Sequence, residues 1–395
     1  MKIDELKQRL YRDIRILKSQ RGYLNAGYPR YNTLFGRDSI ISAWQMLRID
    51  PSIAQATLQI LSEYQGKTID LKSEEEPGKI LHEHRFNPKD QAEMPEWKFP
   101  YYGSIDSTPL YIILAAKYLK NTNDIAFIAK IWENLQAAFN WIIIYGDKDG
   151  DGYIEYQRMN THGLFHQGWR DGSEDHLKIK PPVAIVEVQG YVYAAYQSLI
   201  YIAQKLGRNN DIVEKAMKKA EELKRKFNRD FWMDEEKYFA LALDGEKKQK
   251  KVASSNPGHL LFTGIVNRDK IDYVVKRLFQ EDLWTPYGIR THSTRAPDFD
   301  PYSYHLGSIW PHDNWIIYKG LQELGYYEQA EKIKQALLRA YQKLNKIPEF
   351  YTFVGNEIVD LSIPTKAAHR AIANPLQAWS SAALLEIITT SDFLK

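Results

Sequence analysis

The chain has no cysteine among its 395 residues, which excludes disulfides, a thiol nucleophile and every thiolate metal site. No stretch approaches the ~18 uninterrupted apolar residues of a membrane helix. The charged, helix-patterned start MKIDELKQRL lacks the form of a secretory signal, and the expected location is the cytoplasm. Charge of one sign is also lacking: 53 Lys+Arg face 50 Asp+Glu, a formal net charge of +3 spread along the whole chain. That balance argues against a dedicated nucleic-acid or anionic-membrane surface. No Ser/Gly-rich linker or low-complexity tract divides the sequence, so one domain over residues 1–395 is expected. What the sequence has in excess is aromatic: 26 Tyr, 15 Phe and 10 Trp, or 13%. Tyr and Trp carry polar tips that favour rims and clefts, which points to a cleft that stacks on something flat.

Apolar residues recur with helical spacing through most of the chain. The pattern predicts about twelve helices: Ile3–Ser19, Ile40–Arg48, Ile53–Tyr64, Thr108–Leu119, Ile125–Tyr145, Val183–Leu206, Ile212–Asn228, His259–Ile265, Lys270–Gln280, His312–Glu323, Tyr327–Leu344 and Pro375–Thr389. Short strand-like runs such as Tyr153–Gln157 and Tyr238–Leu243 read as hairpins on loops. Links after the even-numbered helices are short, whereas those after the odd-numbered ones run to about 15–40 residues. Short links make antiparallel hairpins, so the long ones must emerge together at one end. Six hairpins with elaborate loops at one end describe an all-α (α/α)6 barrel, whose function is expected in those loops. The alternative is an irregular helical domain whose long loops merely cover its ends.

The long loops hold the chemistry-bearing residues. In Tyr31–Ser39, Asp38 or Ser39 reads first as a cap for the following helix; a functional reading places Arg37 and Asp38 on a cleft floor. His82 and His84 lack the spacing and third ligand of a zinc site. Tyr101 and Tyr102, beside Gly103, read as a stacking wall, and Asp106 or Ser107 as another cap. The run Asp147, Asp149, Asp151, Gly152 matches the first half of a calcium loop, but Arg158 stands where a bidentate Glu is needed. Both a structural calcium and a simple turn into a strand account for those residues; no other cofactor is expected. In His166–His176, a carboxylate packed beside Trp169 would have a raised pKa suited to a general acid, provided that Arg170 points elsewhere. Asp171, Glu174 and Asp175 all qualify. A buried Glu187 on Pro182–Tyr196 needs partners. Glu349 stands between apolar and aromatic neighbours on a loop stiffened by Pro348, which favours a chemical role.

Together the segments FGRDS (35–39), EEPGKILHE (75–83), YYGSID (101–106), DGDGYIEY (149–156), QGWRDG (167–172), VEVQGYVYAA (186–195), SSNPGHLL (254–261), GSIWPHDN (307–314) and PLQAW (375–379) resemble, in order, the amylo-α-1,6-glucosidase part of glycogen debranching enzymes. The resemblance runs from about Tyr28 to about Leu385. It implies an (α/α)6 barrel that hydrolyses a terminal α-glucosidic bond with inversion, Asp171 being the general acid and Glu349 the general base. Their carboxyls would stand about 6.5–9.5 Å apart, leaving room for the attacking water. It further implies Arg37, Asp38, Tyr101, Trp169, Trp310 and His312 around the glucose ring. Tyr31, Phe35, Tyr102, Arg170 and Trp379 complete the expected substrate-binding set. Such barrels usually follow a β-rich N-terminal domain, and none is expected here. A smaller soluble glucoside, such as a glucose-capped compatible solute, is therefore as much expected as a glycogen branch. The expected partner is thus a carbohydrate. Two alternatives are a glycoside phosphorylase, which the absence of a glycine-rich phosphate cradle disfavours, and a non-catalytic carbohydrate-binding protein.

Overall fold

A computed structural model describes residues 3–208, 210–364 and 371–390. Its helices are α1 (Ile3–Leu17), α2 (Gly36–Met46), α3 (Pro51–Glu63), α4 (Pro88–Gln91), α5 (Ser107–Thr122), α6 (Ile125–Lys130), α7 (Trp132–Trp141), α8 (Val186–Lys205), α9 (Asn210–Asp230), α10 (Arg268–Leu278), α11 (Pro311–Glu323), α12 (Tyr327–Leu344) and α13 (Ala378–Thr390). A 3₁₀ helix, Asn256–Phe262, lies between α9 and α10, and a π turn, Ile142–Gly146, extends α7.

Two kinds of helix build the architecture. α1 buries only Leu6, Leu10, Ile14 and Leu17, the one-sided stripe of a helix with water on its other face. α2 is buried along its whole length, and α11 at every position but Lys319, Gln322 and Glu323, as interior helices must be. The interior elements α2, α5, α8, the 3₁₀ helix, α11 and α13 touch in that order, and α13 returns to α2. Outside them pack α3, α7, α9, α10, α12 and α1. This closed double ring is the expected (α/α)6 barrel. The hairpin links are short where predicted: Asp50, for example, caps α3 by accepting from the Ser52 amide at 3.2 Å, with Pro51 in the first turn.

Three expectations are corrected. The segment expected as one helix over Ile125–Tyr145 divides at Ile131 and ends in the π turn. The fourth inner helix is 3₁₀ and lies three residues earlier than predicted. Neither Asp38 nor Ser39 caps α2, which begins at Gly36, and Asp106 makes no cap bond to α5. These polar groups are engaged elsewhere, as described below. The strands are two or three residues long, and three of their pairings staple the loops just before inner helices. Leu34–Phe35 pairs with Glu83–His84 ahead of α2, Ala184–Ile185 with Ala242–Leu243 ahead of α8, and Leu376–Gln377 with Gly27–Tyr28 ahead of α13. The last pair, with α1 on α13, joins the two ends of the ring. Among the described residues, no helix is long and apolar enough to cross a membrane.

The acidic loop carries its own cation. Lys247 Nζ lies 2.8 Å from Asp149 and 3.1 Å from Asp151, and also binds Glu155. Asp147 accepts from the amides of Gly150 and Gly152, each at 2.8 Å. Ligand atoms of the three aspartates lie within 4.8 Å of one another, but an ammonium already bridges two of them, Asp149 and Asp151. Calcium would have to displace it. EDTA is therefore expected to leave the thermal midpoint unchanged. A fall of several degrees that added calcium restores would show that the ion wins this contest.

Inner elements meet closely where glycines allow it. A Cβ on Gly320 would stand 2.5 Å from Leu261 Cβ and 2.9 Å from the Phe262 amide nitrogen. Gly320→Ala is expected to cost about 1–3 kcal/mol by overpacking α11 against the 3₁₀ helix, read as a lower denaturant midpoint. An unchanged midpoint would show that the ring yields there without strain.

Candidate active site

The N-terminal ends of the inner helices converge beneath the long loops. There Tyr31, Phe35, Arg37, Asp38, Trp169, Asp171, Trp310, Glu349 and Trp379 line one cavity of about 280 Å³. Nine of the thirteen residues expected in the site are thus brought together. Asp171 stands on the third long loop, between the π turn and α8, and Glu349 on the last long loop, between α12 and α13; of the three acids open on the third loop, only Asp171 reaches the cavity. Glu174 and Asp175 face solvent, where Asp175 accepts a bond from the His166 ring at 3.1 Å.

Arg37, from the first turn of α2, grips both carboxylate oxygens of Asp106 through Nη1 at 3.1 and 3.0 Å and donates to Gly168 O at 3.0 Å. Its other terminal nitrogen binds Asp171. Arg170 turns the opposite way, into the barrel, where it reaches Asn256 at 3.1 Å and His305 O. The condition that it leave Asp171 alone is met. Asp171 keeps 22% of its side chain exposed. Burial pushes its carboxyl up to about 6, against the pull of Arg37. Glu349 is 2% exposed. It accepts from the Tyr304 hydroxyl on one oxygen and from the Asn374 amide at 2.7 Å on the other. Burial still raises it to about 7, and the charge of Asp171 adds to the rise. The same desolvation takes Asp38, which accepts from Gln377 at 3.1 Å, to about 7.

The tryptophans are each backed by an imidazole. Trp379 stacks on His312 with centroids 3.8 Å apart, Trp310 lies parallel to His305 at 5.3 Å, and Trp169 parallel to His259 at 5.8 Å. Burial holds His305 and His312 well below the usual imidazole range, so these two backings are neutral. His312 therefore supports a cavity wall from behind. Trp310 also lies parallel to Phe350 at 4.9 Å, inside a stack and not on an open face. The indole N–H groups of Trp169 and Trp379 are buried and have no partner among the described residues. An orphaned donor on a cavity wall is a ready contact for a hydroxyl.

Four expected residues stand behind the wall: His312, Arg170, Tyr101 and Tyr102. Tyr101 donates to Glu74 at 3.0 Å, accepts from the Leu164 amide at 2.8 Å and stacks on Trp97 at 3.9 Å; Trp97 is the residue that faces the cavity. Tyr102 donates to Tyr64 O at 2.7 Å. Sequence reasoning missed His82, Glu83, Trp97, Tyr304 and Gln377 as lining residues. Tyr304 sits in an aromatic-rich segment of the loop between α10 and α11, which is a usable signal. Its bond to Glu349, 45 positions away, is not.

Over residues 31–352 the sequence matches the family described as the mannosylglycerate hydrolase MGH1-like glycoside hydrolase domain. It is 31% identical, over 84 residues, to the mannosylglycerate hydrolases MGH1 and MGH2 of Selaginella moellendorffii. That stretch is 21% of this chain and 17% of each relative, so the chain spans about a sixth of the length of the curated relatives it matches. The GH63 mannosylglycerate hydrolase of Thermus thermophilus, in complex with Tris, superposes with a TM-score of 0.69 at 13% identity, over 98% of this chain and 100% of that one. Its complex with glucose gives 0.71 at 14%, again over 98% and 100%. The GH78 family rhamnosidase of Bacillus sp. GL1 gives 0.65 at 13%, over 98% of this chain and 35% of that one. At such identities these structures support the fold. The resemblance to debranching glucosidases therefore holds for the (α/α)6 fold, and the family matched is another. This chain belongs to the mannosylglycerate hydrolase MGH1-like glycoside hydrolase domain family.

Proposed function

We propose that this chain hydrolyses the α-glycosidic bond of a small soluble glycoside with inversion, Asp171 acting as general acid and Glu349 as general base. The observation that carries the reading is their placement: two carboxyls from different loops face one cavity, each raised by burial and each held by different partners. In the reaction Asp171 gives its proton to the glycosidic oxygen as the C1–O bond breaks. Glu349 takes a proton from the water that attacks C1 from the opposite face. The products are a free aglycone hydroxyl and the inverted sugar.

Arg37 opposes proton storage on Asp171, yet Asp106 and Gly168 O already hold the other terminal nitrogen of its guanidinium. A substrate oxygen arriving at Asp171 can therefore loosen that one contact without stranding the cation. Asp38 and the free indole N–H groups of Trp169 and Trp379 are suited to sugar hydroxyls. A cavity of about 280 Å³ sits near the lower end of ligand pockets, at about 300 Å³, which favours a small substrate over a glycogen branch. The family's name makes glycerate the first aglycone to test, with mannose and glucose as alternative sugars.

Purified protein should release sugar from mannosylglycerate or glucosylglycerate faster than from maltose, isomaltose, trehalose or glycogen. Early product observed by NMR should be the β-anomer; the α-anomer would mean retention and a different pair. Asp171→Asn and Glu349→Gln should each cut kcat by about 10²-fold or more with an unchanged thermal midpoint. Full activity in either variant would remove that residue from the mechanism.

The pair should titrate with apparent values near 6 and 7, so kcat/KM is expected to be bell-shaped. It rises as the pair loses its first proton and falls as it loses the second, because only the singly protonated pair works. With Glu349 titrating above Asp171, the working arrangement, Asp171 protonated and Glu349 ionised, is the minority of that state. A profile flat across both values would count against this pair.

A further inference from the structure

The opposite end of the barrel holds a second hollow, of about 240 Å³, between the C-terminal ends of α2, α5, α11 and α13. Arg48, Lys117, Lys120 and Lys319 face it, against two carboxylates, Glu323 and Glu386. Lys319 is committed to Glu386 at 2.9 Å, and Glu386 also accepts from the Trp315 indole at 3.1 Å. Lys117 lies 4.1 Å above the Trp44 ring and 3.8 Å from Glu323, too far for a close bond. Lys120 is exposed and stands 4.7 Å from the Tyr201 ring. Four cations facing two carboxylates leave an excess of two positive charges around one hollow.

Helix C-termini attract cations, which accounts for lysines at this end. The four termini, at roughly half a negative charge each, also balance much of the excess; they do not account for the gathering of these cations around an open volume. We infer that this basal hollow is a binding site for a small oxyanion dianion of the phosphate type, held by Lys117, Lys120 and Arg48. The site is remote from the cavity holding Asp171 and Glu349 and does not rest on the proposed reaction. The electrostatics agree: burial, together with the ammonium groups of Lys319 and Lys120 and the Arg48 guanidinium, presses Lys117 down to about 8 despite Glu323. A dianion would relieve that repulsion.

Calorimetric titration at constant ionic strength tests this, with inorganic phosphate and glycerol 3-phosphate as separate probes. The wild type should bind at least one of them saturably at one site. Equal affinity would assign the site to the free ion, and tighter binding of glycerol 3-phosphate to an ester. Lys120→Gln, at an exposed position, and Lys117→Gln should each weaken binding about tenfold or more, since a charged hydrogen bond is lost. Absence of saturable binding, or wild-type affinity in folded Lys120→Gln, would overturn the inference.

Discussion

The guanidinium of Arg37 ties together three parts of the chain that share no local reason to meet: the start of α2, the start of α5 and the third long loop. Arg37 and Asp106 are both buried, so their attraction must offset a large desolvation cost, and it does so only because both terminal nitrogens of the guanidinium are engaged. Its Nε has no partner among the described residues. Asp106 takes the permanent share of the charge, further fixed by the Ser104 hydroxyl at 2.7 Å. Asp171 takes the exposed share. The division lets a single cation serve as a structural clamp on one side and a tuning charge on the other.

Around that clamp, the cavity combines groups that seldom coexist. Three raised carboxyls, Asp38, Asp171 and Glu349, stand beside indoles backed by uncharged imidazoles. Had His305 or His312 been protonated, their charge would have pulled these acids down and favoured permanent ion pairs. Neutral imidazoles give flat, polarizable support without electrostatic cost. Beneath them Tyr191, His259 and Asp313 form a buried relay, with contacts of 2.5 and 2.7 Å, that holds the imidazole against which Trp169 lies.

Much of this is legible in the sequence because link length and loop composition are local properties. The alternation of short and long links points to the double ring, and the flanking aromatics mark Glu349 and the acidic stretch holding Asp171, Glu174 and Asp175, among which only the family resemblance chooses Asp171. Asp38 and Asp106 mislead because a cap and a cavity group look alike along the chain; only tertiary packing shows that Arg37 and Gln377 claim them. Tyr101 and Tyr102 mislead in the reverse direction: they read as a wall, but their hydroxyls are committed to Glu74 and the Tyr64 carbonyl, and Trp97 takes the front. Tyr304 and Gln377 escape notice because each serves a partner distant in sequence. The fourth inner element is short and 3₁₀ where Gly258 meets Ile317 and Gly320 meets Leu261, a closeness that no propensity records.

The ring is completed by α13, which packs on α1; Gln377, just ahead of it, and Trp379 within it come to the cavity together. A polypeptide emerging from the ribosome therefore holds every inner element but this one with the seam still open. Asp38 then lacks its amide donor and Glu349 lacks the Asn374 N–H. Sequence-distant seams of this kind slow folding, and partly enclosed chains with exposed apolar faces are prone to aggregate. Acquisition of a competent pocket is thus coupled to the docking of α13, and until then the interior helices present apolar faces to water.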